Sequence, residues 1–201
     1  MALDSSGTSG GKEDAQGVLP DAVLLARYAA GDPGAARLLA DRLAPRLLRA
    51  ARRILGDHAE AEDVVQEAML RLWRAAPGWR AGEAQVSTWA YRVAVNLCTD
   101  RLRRRRAVPI ESVPEPEADR PPADSVLIGD ARVRALGLAL AALPDRQRQA
   151  VVLRHIEGLA NPEIGEVMGI GVEAVESLIA RGKRALVQAL AGRRDELGFS
   201  E

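Results

Sequence analysis

Residues 61–106 form two consecutive segments in which apolar residues recur at three- and four-residue spacing, the repeat of an amphipathic helix. In the first segment the predicted core stripe consists of Ala61, Val65, Ala68, Met69, Leu72 and Ala76. Roughly opposite that stripe lies a mixed set of acidic, amide, aliphatic and aromatic residues: Asp63, Gln66, Glu67, Leu70 and Trp73. Because the core does not account for large apolar groups on that side, the pattern predicts a protein-binding face.

The second segment begins at Thr88 and ends in four consecutive arginines, residues 103–106. Its predicted inward residues are Trp89, Val93, Leu97 and Leu102, and its polar stripe is Arg92, Asn96, Thr99 and Arg103. Four of the six aromatic residues lie in this neighbourhood: Trp73, Trp79, Trp89 and Tyr91. Arginines neutralise phosphates and aromatic rings stack on bases, so the segment predicts nucleic-acid binding. The alternative is a solvated helix end beside a core tryptophan.

Composition favours an all-α fold. Of the 201 residues, 47% are hydrophobic but only 3% are aromatic, so the cores must be built from Leu, Val and Ala. No apolar run reaches membrane-spanning length and the N-terminus has no basic region followed by a hydrophobic one, so we expect a cytoplasmic protein without membrane insertion. The single cysteine, Cys98, is expected to be a small buried hydrophobe.

Charge is sorted along the chain although the total is zero. Residues 20–106 carry 16 Arg against 10 Asp and Glu, a net +6, and residues 131–195 carry 10 basic against 7 acidic residues, a net +3. Residues 107–130 carry one Arg, six acidic residues and five prolines, which is typical of a linker. The sequence therefore predicts two small helical domains joined by a flexible linker: a disordered tail 1–19, domains 20–106 and 129–195, a linker 107–128 and a tail 196–201.

The N-terminal domain is predicted to be a bundle of about four helices. A first helix starts near Asp21 and is interrupted at residues 31–33, Gly-Asp-Pro. A longer helix follows and ends at Gly56 and Asp57. Its predicted core face is Leu38, Leu39, Leu43, Leu47, Leu48 and Ile54.

The C-terminal domain has the spacing of a helix-turn-helix. Pro144 opens one helix that Gly158 closes, Asn161 caps a short helix with Pro162 at its first position, and residues 169–171 form the turn. The last helix has an inward stripe of Val172, Val175, Ile179, Leu186 and Leu190. Its outward row is Glu173, Ser177, Arg181, Arg184 and Gln188. That row is predicted to face a DNA major groove, the alternative being a plain pair of amphipathic helices.

An enzyme is not expected. His58 and His155 have no Cys or His at metal-ligand spacing, and the sequence contains no glycine-rich phosphate loop or nucleophile motif. We therefore expect neither a metal nor another cofactor.

Taken together, these motifs resemble bacterial sigma factors of the short, extracytoplasmic-function type, from Asp21 to Leu190. Residues 63–67 (Asp-Val-Val-Gln-Glu), with Leu70 and Trp73, resemble the family segment that binds the clamp-helix coiled coil of the polymerase β′ subunit. A second set of residues resembles the family helix that melts and reads the promoter −10 element, and residues 77–86 resemble its loop. The residues of the helix are Ser87, Thr88, Trp89, Arg92, Asn96, Asp100, Arg103 and Arg104. A third set of residues resembles the family domain that binds the −35 element: Leu143, Pro144, Arg148, Glu163, Ile164, Gly169 and Val175. In that resemblance Arg154, Ser177 and Arg181 stand at positions that touch DNA.

The resemblance implies a set of partners and a geometry. The partners are core RNA polymerase, through its β′ clamp helices and β flap, promoter DNA and an anti-sigma factor. The two promoter elements in this family lie some twenty base pairs apart, about 60–70 Å at about 3.4 Å per step. A linker of about 22 residues reaches roughly 70 Å when extended, so the domains can span such a promoter.

The chain departs from the family pattern at several positions. A Gly-Thr pair is usual where Glu173 and Ala174 stand, basic residues are usual at Glu176 and Leu178, and an aromatic is common at Val86. One hypothesis is that Glu173, and less surely Glu176, accepts a hydrogen bond from a cytosine amino group. The alternative is that acids in a first helical turn only complement the helix dipole.

The resemblance implies an alternative sigma factor that directs promoter-specific initiation, in a stress response and under an anti-sigma factor. The alternative function is a conventional helix-turn-helix regulator whose N-terminal bundle senses a ligand or dimerises.

Overall fold

The computed structural model describes residues 19–80, 85–107 and 127–191, and all regular structure in these ranges is helical. The all-α fold with two helical units is therefore confirmed. The predicted tails and most of the predicted linker lie outside the described residues, as does part of the proposed −10 loop, residues 81–84. Among the described helices, none combines the length and apolarity needed to cross a membrane.

The N-terminal unit consists of four α-helices, α1 (Asp21–Ala29), α2 (Pro33–Leu55), α3 (His58–Ala75) and α4 (Val86–Ala107), with a 3₁₀ turn at Ala76–Gly78. Helix α2 begins where the Asp32 carboxylate accepts hydrogen bonds from the backbone N–H groups of Gly34 and Ala35, at 2.9 and 3.2 Å. Helix α3 begins where Asp57 accepts from the N–H of Glu60 at 2.9 Å. These caps satisfy donors that a helix leaves unpaired, so the predicted boundaries at Asp32 and at Gly56–Asp57 are confirmed.

The core of this unit is built from small and aliphatic side chains. The predicted stripe of α3 is confirmed, with Val64 added to it. The prediction for α2 was wrong at Leu38, which is 52% exposed. The buried residues of α2 are Ala35, Leu39, Leu43, Leu47, Ala50, Ala51, Ile54 and Leu55.

The predicted inward stripe of α4 was largely wrong. Trp89, Val93 and Leu97 are only partly buried at the margin of the core, whereas Leu102 is buried as expected. The buried residues of the helix are Val86, Thr88, Ala90, Tyr91, Ala94, Val95, Cys98 and Leu102. With successive residues turned by about 100° around the helix axis, these buried residues cover about 200° of the helix circumference. The buried arc is this wide because α4 packs both on its own bundle and on the C-terminal unit.

The C-terminal unit contains α5 (Leu127–Ala141), α6 (Asp145–Val151), a π-helical turn (Val152–Ile156), α7 (Asn161–Met168) and α8 (Val172–Ala191). Sequence reasoning did not identify α5 as a helix. The helix-turn-helix is confirmed, with Gly169 in the left-handed conformation at φ 63° between α7 and α8. Val172 is 40% exposed rather than inward.

The start of α7 differs from its prediction by one residue. Ala160 occupies the cap position, and Asn161 and Pro162 are the first two helical residues. The Glu163 carboxylate accepts a hydrogen bond from the Ala160 N–H at 2.7 Å. The side chain three residues into the helix thus supplies the capping interaction that was assigned to Asn161.

The two units pack against each other. Helix α4 lies on α7, and α2 lies on α5 and on the π-helical turn, so buried residues of both units form one apolar cluster. The side-chain interactions across this contact between described residues include Arg49 with Glu157, Tyr91 with Glu157, Gln149 with Thr99, and Arg106 with Asp145.

Gly182→Ala is expected to destabilise the protein. Alanine is favoured over glycine in a helix by about 1 kcal/mol. However, a Cβ at Gly182 would lie 2.6 Å from Cγ2 of Val151, a stiff and buried side chain on α6. Overpacking of this kind costs about 1–3 kcal/mol, so we expect a lower free energy of unfolding in urea titrations followed by circular dichroism.

Gly137→Ala is the matched control, because the nearest atom to a Cβ at that position of α5 is Nη1 of Arg53, at 3.9 Å. This variant should gain about 0.5–1 kcal/mol. Equal stabilisation by both substitutions would show that α8 does not approach α6 as closely as described.

Candidate functional surfaces

The outer face of α3 presents an aliphatic group among polar ones. Leu70 is 47% exposed, and Asp63 and Gln66 are exposed on the same side. The Glu67 carboxylate accepts a hydrogen bond from Nε of Arg71 at 2.7 Å, and this bond lowers the pKa of Glu67. A large apolar group held exposed beside ionised carboxylates suits contact with another protein.

Trp73 contributes to this face only in part. Its ring is partly buried and lies 4.7 Å from the ring of Tyr28, centroid to centroid, at an interplanar angle of 55°. An aromatic contact of this kind ties α3 to α1. Trp73 therefore belongs partly to the core, and Leu70 is the apolar group that the face presents most fully.

The predicted polar stripe of α4 is present as a row of exposed side chains, Arg92, Asn96, Thr99 and Arg103. Asp100, beside the row, pairs with Arg103 at 3.3 Å. Trp89 stands at the margin of the stripe, edge-on to Trp79 with 5.8 Å between ring centroids. Tyr91, one of the aromatic residues of this segment, is buried.

The four arginines at the end of α4 have different environments. Arg103 and Arg104 are exposed, with the Arg103 side chain 80% accessible. Arg105 instead donates to the backbone carbonyl of Leu55 at 3.0 Å and to the Glu60 carboxylate at 3.1 Å. Arg106 pairs with Asp145 of the C-terminal unit. Arg105 and Arg106 therefore also contribute contacts within the protein, whereas Arg103 and Arg104 are the arginines of this run that are assigned to phosphate binding as a prediction.

The outward row of α8 is exposed as predicted, at Glu173, Ser177, Arg181, Arg184 and Gln188. The exposed Arg154 side chain donates to the carbonyl of Leu159 at 3.0 Å, which places it at the loop before α7. Glu173 and Glu176 differ in their contacts within the protein, because the Glu176 carboxylate accepts a hydrogen bond from the side-chain amide of Asn161 at 3.4 Å. The row combines cations, a hydroxyl and a carboxylate, the groups that read base edges in a major groove.

Other reactive groups are few. Burial raises the pKa of the Cys98 thiol to about 12. His58 lies 3.4 Å from the Glu62 carboxylate on the same helix. Within the described ranges, no three His, Cys, Asp or Glu side chains are placed to hold a metal ion.

Sequence reasoning missed the buried carboxylate of Glu157. Its side chain is fully buried and accepts two hydrogen bonds from Arg49, both 2.9 Å, and one from the Tyr91 hydroxyl at 2.7 Å. The Arg46 guanidinium lies 5.7 Å from the centroid of the Tyr91 ring. Burial and the bond to Glu157 raise the pKa of Tyr91, and the same carboxylate raises the pKa of Arg49. A lone acid at a helix end gives no sequence signal for these partners, because they lie 66 and 108 residues away.

Both units match known sequence families. Residues 39–108 match sigma-70 region 2, and residues 134–186 match sigma-70, region 4. The first match therefore covers most of α2 and all of α3 and α4, and the second covers about half of α5, all of α6 and α7, and most of α8.

Several curated proteins resemble the chain over most of its length. The ECF RNA polymerase sigma factor SigM of Mycobacterium tuberculosis is 37% identical over 173 residues, which cover 85% of this chain and 84% of that protein. The ECF RNA polymerase sigma factor SigE of Mycolicibacterium smegmatis is 37% identical over 162 residues, 78% of this chain but only 62% of the relative. SigW of Bacillus subtilis, another ECF sigma factor, is 32% identical over 171 residues, 80% of this chain and 91% of the relative.

A similar fold occurs in solved structures. The structure of CnrH in complex with the cytosolic domain of CnrY superposes with a TM-score of 0.67 at 26% identity, covering 86% of this chain and 97% of CnrH. The sigma factor RpoE of Bartonella quintana, in complex with the anti-sigma factor NepR, gives 0.60 at 22% identity over 77% of this chain and 96% of RpoE, a likeness of fold. The region 2 and region 4 matches, together with the identity to SigM, show that the chain belongs to the extracytoplasmic-function sigma factors of the sigma-70 family.

Proposed function

We propose that the chain is an alternative sigma factor that binds core RNA polymerase and directs it to specific promoters in the cytoplasm. The observation that carries this function is that α3, α4 and α8 each leave exposed a row of polar side chains at the positions of the family motifs. In this assignment α3 binds the clamp helices of polymerase, α4 binds the −10 element and α8 binds the −35 element. The region 4 unit would also contact the β flap.

The residues assigned to each binding surface are those predicted from the sequence, and most of them lie in the exposed rows of α3, α4 and α8. Polymerase binding is assigned to Asp63, Gln66, Glu67, Leu70 and, for its exposed edge, Trp73. Binding of the −10 element is assigned to Trp89, Arg92, Asn96, Asp100, Arg103 and Arg104. Binding of the −35 element is assigned to Arg154, Glu173, Ser177, Arg181 and Arg184.

Control by an anti-sigma factor is part of the proposal. The CnrH and RpoE structures each contain a second protein, named an anti-sigma factor in the RpoE complex. As an initiation factor, the chain is expected to have no catalytic activity of its own. The signal it would serve, in a stress response, would reach it through such a partner.

Run-off transcription tests the function. Purified chain, core polymerase and a promoter from the neighbourhood of its own gene should yield a specific transcript that neither protein gives alone. The chain alone should not retard the duplex promoter. Retardation without polymerase, together with no transcript, would instead identify a conventional helix-turn-helix regulator.

Leu70→Ala is expected to weaken binding to core polymerase by about 5- to 30-fold, because the truncation removes about 1–2 kcal/mol of apolar contact from the α3 face. Binding can be measured by fluorescence anisotropy of the labelled chain against core polymerase, with thermal melting as the check on folding. Leu38→Ala is the matched control, since Leu38 is also a half-exposed leucine in this unit, on α2. Equal losses of polymerase affinity in both variants, or unfolding of Leu70→Ala, would contradict the assignment of the α3 face to polymerase binding.

Replacing Arg103 and Arg104 together with Ala is expected to weaken open-complex formation on all promoters alike. A run of arginines has no fixed register for base contacts, so the loss is of phosphate contacts. Two phosphate contacts on single-stranded DNA correspond to about 1.4 in the slope of log K against log salt, which should flatten by that amount. A changed promoter preference with an unaltered salt slope would contradict this role.

Arg105→Ala is the contrasting variant, because its guanidinium binds Leu55 and Glu60 within the protein. It should lower the melting temperature and leave the salt slope unchanged.

Glu173→Ala is expected to relax discrimination at one −35 base pair by about 1–3 kcal/mol, through loss of an acceptor for a cytosine amino group. The readout is run-off transcription on a set of single-base −35 variants. Glu176→Ala is the comparison, since Glu176 already has the Asn161 amide as a partner. Stronger binding to every −35 variant equally would show that Glu173 is only a charge that complements the helix dipole.

A further inference from the structure

Asp63 is the more exposed of the two acids on the α3 face, and its own helix gives it no counter-charge. Its side chain is 66% accessible. Its neighbours on the helix surface, three and four positions away, are Ala59, Glu60, Gln66 and Glu67. Like charges at this spacing repel each other, so the two acidic neighbours disfavour a fixed position of the Asp63 carboxylate. A cation that holds this carboxylate must therefore come from another helix.

The cation next to Asp63 is Arg101, which belongs to α4, the helix that packs beside α3. Nη2 of Arg101 lies 3.5 Å from Oδ2 of Asp63. Among the residues that the structure describes, Asp63 is the ion-pair partner of Arg101, whose side chain is only 25% accessible. Because a side chain that is three-quarters buried has already lost much of its rotational freedom, holding its guanidinium beside Asp63 costs little further entropy.

Glu67 is held in a similar way, but by a residue of its own helix. Nε of Arg71 donates a hydrogen bond to Oε1 of Glu67 at 2.7 Å. The pKa of Glu67 is lowered chiefly by this bond, and the positive charges of Arg71, Arg74 and Arg101 lower it as well. Each acid thus pairs with an arginine through one carboxylate oxygen, and the other oxygen accepts no hydrogen bond from a described residue. That second oxygen is left for a basic group of a partner protein.

We propose that Arg101 is a positioning residue for polymerase binding, which holds the Asp63 carboxylate so that its second oxygen meets a basic group of core polymerase. The inference rests on the proposed function, because it takes the α3 face as the polymerase contact. It adds to that face a residue of α4 that does not itself belong to it. An acceptor that is already held in place loses less freedom on binding, so a preorganised carboxylate binds more tightly than a mobile one.

The charge of Arg101 has an effect on binding that opposes its effect through orientation. A positive charge beside the face repels a basic group of the partner. If this repulsion dominated, removal of the charge would strengthen polymerase binding, most of all at low salt. If the orientation of Asp63 dominates, removal of the charge weakens binding. The direction of the change in affinity therefore distinguishes the two effects.

Arg101→Gln tests the positioning role, because it removes the charge and keeps most of the side-chain stem. We expect the affinity for core polymerase, measured by fluorescence anisotropy of the labelled chain, to fall about five-fold, an ordinary coupling for side chains in contact. In an Asp63→Asn background the same substitution should have no further effect, because the carboxylate that Arg101 holds is absent. Arg101→Lys keeps a charged donor for this single contact and should stay within about two-fold of the unsubstituted chain.

Arg74→Gln is the matched control for charge. Arg74 is an exposed arginine of α3 whose charge also acts on Glu67, and the structure shows no ion pair between it and Asp63 within the described ranges. Its replacement should not lower the affinity for polymerase, and thermal melting of each variant checks that it is folded. Equal losses in Arg101→Gln and Arg74→Gln, a gain in Arg101→Gln, or an undiminished loss in the Asp63→Asn background would overturn the positioning role.

NMR relaxation of the Arg101 Nε–Hε group tests the ion pair in the free chain, without polymerase. Asp63→Asn should lower the order parameter of this group. Glu62→Gln removes a neighbouring exposed acid that pairs with His58 instead, so it should leave the order parameter unchanged. An order parameter that is the same in Asp63→Asn and in the unsubstituted chain would overturn the proposal. If the unsubstituted chain fails to bind core polymerase although Asp63→Asn lowers the order parameter, the proposed function is wrong and the ion pair is still supported.

Discussion

The two-sided burial of α4 is the constraint on which the rest of the structure depends. One side of this helix completes the core of the N-terminal bundle, and the adjoining side supports the C-terminal unit. What remains for solvent is one narrow row, which carries Arg92, Asn96 and Arg103. The same helix thus contributes to the core of its bundle, supports the second unit and presents the polar row that is proposed to bind DNA.

Much of the fold was predictable because it follows from local rules. The starts of α2 and α3 are specified by aspartates that accept backbone hydrogen bonds, and the end of α2 and the turn before α8 by the left-handed glycines Gly56 and Gly169. The α3 stripe was predicted correctly because that helix has a single buried side. Periodicity then identifies the core directly.

Prediction of buried residues failed on α4, where the C-terminal unit buries side chains that the N-terminal bundle alone would not. On α4 the second unit shifts the centre of the buried arc from Val93 and Leu97 toward Tyr91 and Val95, and no single-helix pattern encodes that. The contacts of Arg105 with Leu55 and Glu60 could not be predicted from the arginine run either, since these partners lie about 50 residues away in the sequence. Partners distant in sequence leave no trace in local periodicity.

The environment of Cys98 limits the kinds of signal that the chain can sense directly. It is the only cysteine in the 201-residue sequence, it is fully buried in α4, and its thiol pKa of about 12 leaves almost no reactive thiolate at neutral pH. Disulfide-exchanging proteins therefore find no accessible thiol on the folded chain, because its single cysteine is buried. If the genes it controls respond to oxidants, the thiol chemistry of that response must take place on another molecule.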